Sequence, residues 1–182
     1  LLNVNGMVRA NSAHMDGGKI VLNSHNGNTE IGGELTVSSD NGPAGTIEIL
    51  GDEIIIKDGA RILADGKSGG EIYVGGSDKG QGPLPNSKKV KVEDGALISA
   101  KGHENQQSGK IILWADDYLE MSGKLDTSVG LDGFIETSSK KDFMINGHIN
   151  AGIHGSWLLD PETIIIADGN DRYDQTEQGT NT

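Results

Sequence analysis

A Gly-x-Ile unit returns five times along this chain: Gly18-Lys19-Ile20, Gly45-Thr46-Ile47, Gly70-Glu71-Ile72, Gly109-Lys110-Ile111 and Gly133-Phe134-Ile135. Successive glycines lie 27, 25, 39 and 24 residues apart. The long interval contains Lys79-Gly80-Gln81-Gly82-Pro83-Leu84-Pro85-Asn86-Ser87, which reads as a loop inserted over residues 79–89. Without about 14 residues there, the period returns to roughly 25, a solenoid spacing. A second unit is interleaved with the first. It places an apolar residue before a glycine, an apolar residue after it, and a small or apolar residue two further on. Its six copies are Val4…Gly6…Val8…Ala10, Ile31…Gly33…Leu35…Val37, Ile56…Gly59…Ile62…Ala64, Val92…Gly95…Ile98…Ala100, Met121…Gly123…Leu125…Thr127 and Ile145…Gly147…Ile149…Ala151.

Within each unit the apolar residues alternate with polar ones. Ile47 and Ile49 are flanked by Thr46 and Glu48, and Ile72 and Val74 by Glu71 and Tyr73. A period of two means a half-buried strand. The strands are short and end at Gly, Asn or Asp, which turn the chain cheaply. Short strands also build antiparallel barrels, but those rely on tight hairpins. A same-phase repeat instead returns equivalent positions one coil later, so they stack. The prediction is all-β: a right-handed parallel β-helix of about six coils of roughly 25 residues. One interior column would hold Ile20, Ile47, Ile72, Ile111 and Ile135. A second would hold Val8, Leu35, Ile62, Ile98, Leu125 and Ile149, and Ala10, Val37, Ala64, Ala100, Thr127 and Ala151 would fill a tight corner. At a strand spacing of about 4.8 Å, six coils make a rod of about 29 Å.

Composition agrees. Aromatics are 4% and hydrophobic residues 34%, while glycine reaches 28 residues, so the core must be thin and turned often. The net charge of −12 repels nucleic acid and anionic membrane surfaces. The absence of cysteine excludes disulfides, Cys-ligated zinc and thiol catalysis. No apolar run approaches the ~20 residues of a spanning helix. The chain opens on Leu1-Leu2-Asn3-Val4-Asn5-Gly6, already a strand and a turn, with no signal peptide, and is expected to be a piece of a longer protein. The β-helix is expected over 1–166, and 167–182 is expected to be a polar, disordered tail or linker.

Several stretches resemble large exoproteins of the filamentous-haemagglutinin, two-partner-secretion family. These are Gly69-Gly70-Glu71-Ile72-Tyr73-Val74-Gly75-Gly76-Ser77-Asp78-Lys79-Gly80, then Pro85-Asn86-Ser87 with Val90 through Ala100, then Gly109-Lys110-Ile111-Ile112-Leu113-Trp114-Ala115-Asp116. Gly133-Phe134-Ile135-Glu136-Thr137-Ser138 and the closing Gly155-Ser156-Trp157-Leu158-Leu159-Asp160-Pro161, followed by Ile164-Ile165-Ile166, complete the series. The resemblance covers about 69–166, and the family's amino-terminal secretion domain has no counterpart among these motifs. It implies a secreted adhesin at a Gram-negative cell surface, exported through an outer-membrane transporter. Such an adhesin attaches to a host-cell receptor, a glycan or a biofilm matrix and serves virulence. The resemblance supplies no catalytic residues and no cofactor, so the chain is expected not to be an enzyme.

Asp52, Asp78 and Asp116 fall at similar distances after their Gly-x-Ile glycines. Clustered on one face, they would suit acid–base cleavage of a polysaccharide or Ca²⁺ coordination. The competing reading is that each is a solvated turn residue. Lys79, Lys88 and Lys89 form a basic spot in the insertion, which is expected to leave the rod and contact an anionic host ligand. His14, His25, His103, His148 and His154 form no ligand pair, and His148 should point outward from a strand. Gly75-Gly76-Ser77-Asp78 lacks the sequel of a phosphate loop. Trp157 is expected to cap or bend the last coil.

Overall fold

The computed structural model describes residues 1–9 and 18–160. Each coil has three strands. The first coil is β1 (Leu2–Val4), β2 (Met7–Arg9) and β3 (Lys19–Asn23); the second is β4 (Asn28–Ile31), β5 (Glu34–Thr36) and β6 (Thr46–Leu50). The third is β7 (Glu53–Ile56), β8 (Arg61–Leu63) and β9 (Glu71–Val74); the fourth is β10 (Lys89–Val92), β11 (Leu97–Ser99) and β12 (Lys110–Ala115). The fifth is β13 (Tyr118–Met121), β14 (Lys124–Asp126) and β15 (Phe134–Ser139); the sixth is β16 (Asp142–Ile145), β17 (His148–Asn150) and β18 (Ser156–Leu158). Each strand pairs with the strand three places on. This gives three six-stranded sheets, headed by β1, β2 and β3, with every pair parallel. The protein is a parallel β-solenoid. Among the described residues the helical content is one 3₁₀ turn, Asp78–Gly80. The expected tail 167–182, the coil end at 161–166, Ala10 and His14 lie outside the described residues.

The repeat units map onto this frame directly. The Gly-x-Ile unit opens the third-sheet strands, and the second unit divides at its central glycine into a first-sheet and a second-sheet strand. Ile20, Ile47, Ile72, Ile111 and Ile135 stand in one register column, and all five are buried. Val8, Leu35, Ile62, Ile98, Leu125 and Ile149 make the second-sheet column. The first sheet adds a third, with Ile31, Ile56, Val92 and Met121 buried in line. Each buried aliphatic side chain contributes roughly 1.5–3 kcal/mol.

The corner column explains why the repeat pairs a small residue with a following glycine. Val37, Ala64, Ala100 and Thr127 are buried there. The Gly70 amide donates to the Ala64 carbonyl (2.9 Å), and the Gly109 amide to that of Ala100 (2.8 Å). A methyl group on Gly109 would stand 2.7 Å from the Ala100 Cβ, too close for the corner to close.

Outside the rod, charges follow the same register. Asp52, Lys88, Asp117 and Lys141 occupy equivalent turn positions just before β7, β10, β13 and β16. They pair as Lys88–Asp52 at 2.8 Å and Lys141–Asp117 at 2.6 Å. Exposed pairs of this kind contribute about 0–1 kcal/mol each, so they tune the stack and do not hold it.

The insertion departs from expectation in its bounds. It is the connection from Gly75 to Lys88, between β9 and β10, and Lys89 already opens β10. The equivalent turns after β6, β12 and β15 take two residues each.

The register makes a direct prediction. Ile62 is fully buried and Lys67 is exposed in a turn. Ile62→Asp should cost at least about 4 kcal/mol, and Lys67→Asp should stay within about 0.5 kcal/mol. Thermal melts with equal shifts for the two would contradict the assigned columns.

Candidate functional site

In β12, Ile111 and Leu113 point into the core. By alternation Ile112 and Trp114 face outward, yet Ile112 is 0% exposed and Trp114 only 4%. The cover is the insertion. It does not stand away from the rod but folds back over the outer face of the third sheet, with its 3₁₀ turn packed on β12. Gly80 lies flat against the Trp114 ring, where any side chain would overlap it, and its φ of 62° also favours glycine. Lys79 adopts a left-handed φ of 53° and turns its amide inward.

That amide meets a buried carboxylate. The Lys79 N–H donates to both oxygens of Glu136, at 3.0 and 3.2 Å. Glu136 is an outward residue of β15 that the insertion has closed off from water. Around it, Lys110 Nζ pairs with Asp78 at 2.9 Å. The Trp114 Nε1–H donates to Asp116 Oδ1 (3.0 Å), and Asn86 Nδ2 donates to the same oxygen (3.2 Å) and to the Gly80 carbonyl (3.1 Å). Lys140 completes the set, 2.7 Å from Asp116 and 6.0 Å from the centre of the Trp114 ring. The insertion is therefore a strap tied down at Asp78, Lys79 and Asn86, with Ser87 fixing its far end to Gly51 and Asp116.

The electrostatics divide in two. Burial is the largest influence on Glu136 and pushes its pKa above the ordinary glutamate value; Asp78 adds to the rise and the Lys79 amide opposes it. Burial would also raise Asp116, but hydrogen bonds from Lys140, Trp114 and Asn86 outweigh it and hold the carboxyl below its usual value. Asp126 is likewise lowered against its burial, by Ser128 and Lys124. It borders an open groove of about 660 Å³ on the second sheet, lined also by Asp94, Leu97, Lys124 and His148.

The three candidate carboxylates are not brought together as a cluster. Asp52 pairs with Lys88, Asp78 with Lys110 and Asp116 with Lys140. Among the described residues no group of three His, Asp or Glu is placed to hold a metal ion. The insertion enters between the coils of Asp52 and Asp116 and sets its Lys88 against Asp52, while Lys110 of β12 and Lys140 after β15 pair with Asp78 and Asp116. The basic spot is dispersed too. Lys88 and Lys89 face Asp52 and Glu53 across the first-sheet edge, and Lys79 alone lies on the strap's outer surface. His148 points outward as expected. Trp157 continues the Ile135 column at the end of the third sheet, 47% exposed, with its Nε1–H donating to Thr137 Oγ1 at 2.9 Å. Sequence reasoning missed the burial of Glu136 and Trp114. The available signal was the unbroken apolar run Ile111-Ile112-Leu113-Trp114-Ala115, which asks for cover on both faces.

The chain is similar to the HMW1 secretion domain from Haemophilus influenzae, seen in a crystal structure, with 33% identity and a TM-score of 0.77. The match takes in 86% of this chain and 43% of that one, so the chain spans less than half of that structure. The likeness thus reaches a secretion domain, the part that the sequence motifs had left without a counterpart. No family model matches the chain, nor does any curated protein.

Two predictions follow from the strap's contacts. Gly80→Ala places a methyl group into the Trp114 ring and should cost about 1–3 kcal/mol, with a red shift of Trp114 emission as the strap lifts. An unshifted spectrum and melt would mean that the strap does not cover the ring. The second concerns pH. Glu136 binds its proton more tightly folded than unfolded, so its ionisation costs stability as pH rises through the raised value. Glu136→Gln should therefore be more stable than the parent at about pH 7.5, and that advantage should fade as pH drops toward about 4.3. Asp116 and Asp126 act in the opposite sense. Their stabilisation is full above the ordinary aspartate value and is lost as pH falls through their lowered values. Melts of parent and Glu136→Gln that differ equally at both ends of this range would show that Glu136 does not titrate.

Proposed function

We propose that this chain is a structural and adhesive segment of a secreted exoprotein of the two-partner-secretion, filamentous-haemagglutinin type, displayed at a Gram-negative cell surface. The likeness to a secretion domain supports the export route, and an outer-membrane transporter is the partner that the route requires. The solenoid supports the mechanical role, since its exposed side chains lie on outer sheet faces and in one strap. A host-cell receptor, a glycan or a biofilm matrix is the partner class for those faces.

The observation that carries the non-catalytic reading is the pairing of Asp52, Asp78 and Asp116 with three separate lysines. Glycoside cleavage needs two carboxyl groups flanking one bond, one protonated and one ionised. Each of these acids instead faces a lysine of its own. The test is a glycan and host-cell binding array run beside a depolymerisation assay. Binding without chain shortening is expected. Depolymerising activity that Asp52→Asn abolishes, with an unchanged melt, would replace this reading with an enzymatic one.

A further inference from the structure

The strap has a second side. Ile112, which it covers, shares a register row with Tyr73 and Glu48, one and two coils nearer the amino terminus. These two stay half-buried. Between them and the strap lies a groove of about 330 Å³, within the size range of small-molecule sites. Tyr73 lies in its floor, and the strap's Pro83 and Leu84 give it an apolar wall.

Three carboxylates border this groove, each already half engaged. Lys19 Nζ holds Glu48 Oε1 at 2.6 Å, the Tyr73 hydroxyl donates to Glu71 Oε2 at 3.1 Å, and Lys110 Nζ holds Asp78 Oδ1 at 2.9 Å. The second oxygen of each accepts no hydrogen bond among the described residues. Lysines offset two of the three charges, so the groove offers acceptors more than net charge. Burial, then the charge of Glu71, pushes the Tyr73 phenol above its ordinary value, so it keeps its proton and its bond to Glu71. Ser77 has the opposite need. It is 7% exposed in the groove wall, and its Oγ accepts the Leu84 amide at 3.4 Å. Its own hydroxyl proton meets no acceptor among the described residues. A buried hydroxyl left undonated is unfavourable, and a ligand that brings an acceptor relieves it.

A ligand for this groove needs several donors close together, at least one acceptor and an apolar face. The carboxylates repel an anion. An ammonium group supplies donors only and leaves Ser77 unmet. A hydroxyl both donates and accepts, and a sugar ring carries several of them beside an apolar C–H face that packs on an aromatic side chain. We infer that the groove between the strap and Tyr73 binds a neutral sugar unit of a glycan. Tyr73 packs on the sugar ring, while Glu48, Glu71, Asp78 and Ser77 meet its hydroxyls. The inference rests on the adhesive reading above and places recognition beside the strap, not on its outer surface at Lys79.

The test titrates the full 182-residue chain with neutral, carboxylated and sulfated oligosaccharides, and with spermine as the cationic comparison. Neutral members should bind. Tyr73→Ala and Glu71→Ala should each weaken that binding about ten-fold or more, and Glu71→Ala carries the test where Tyr73→Ala lowers the melt. Tyr73→Phe, which keeps the ring, should stay within about three-fold of the parent, and Lys79→Ala should match it. Neutral binding that survives both alanine variants would overturn the assignment. So would a preference for spermine, or for anionic oligosaccharides whose binding is lost in Lys79→Ala. Attachment to host cells with no neutral oligosaccharide bound would remove the groove and leave the adhesive reading standing. A chain that binds neither cells nor oligosaccharides would sink both.

Discussion

The backbone of each coil finds its hydrogen-bond partners in the coils before and after it, and almost nowhere else. A parallel ladder of this kind cannot be half made. Once β6 aligns on β3, the amides of β6 dictate where β9 must lie, and the side chains follow by alternation. The uniform Ile column and the alanine–glycine corner follow from that requirement. A stack at strand spacing tolerates only side chains that fit against copies of themselves.

The strap over β12 is the one place where the solenoid acquires a second layer. It buries an aromatic ring and a carboxylate on a face that would otherwise be wet. The carboxylate carries the cost of that burial, visible in the raised Glu136. The tryptophan recovers some of it through the cover on its ring and the bond to Asp116. The strap is thus neither a free loop nor a core element. Its outer surface is exposed at Lys79, Gln81, Gly82 and Pro83, while its inner surface is fixed.

The columns were legible because period and chemistry coincide: an aliphatic residue after every Gly-x marks the inward position, and the register bears out each described member. The strap was not legible, for a physical reason. An insertion reads as loop because its glycines and prolines forbid ladder pairing, but that says nothing of where the segment lies. Whether it leaves or returns is decided by tertiary partners, here Trp114 and Glu136, far off in sequence. The pairing of the candidate acids was not legible for a similar cause. Equal offsets from a glycine put Asp52 and Asp116 at similar turns, but the strap's own lysine and a lysine of the next coil neutralise them. Asp126 and its groove were passed over because a lone Asp in a strand unit carries no spacing signal.

The turn ladder Asp52–Lys88–Asp117–Lys141 has a consequence beyond its small energy. Coils built from nearly identical columns are close to interchangeable, so the apolar core barely distinguishes a correct neighbour from a skipped one. Alternating signs break that degeneracy. A coil that stacks one place early or late meets a like charge where an opposite one belongs, and the penalty falls on the wrong assembly alone. The ladder therefore works as a parity check on coil order, read by charge at the turns while the interior reads only shape.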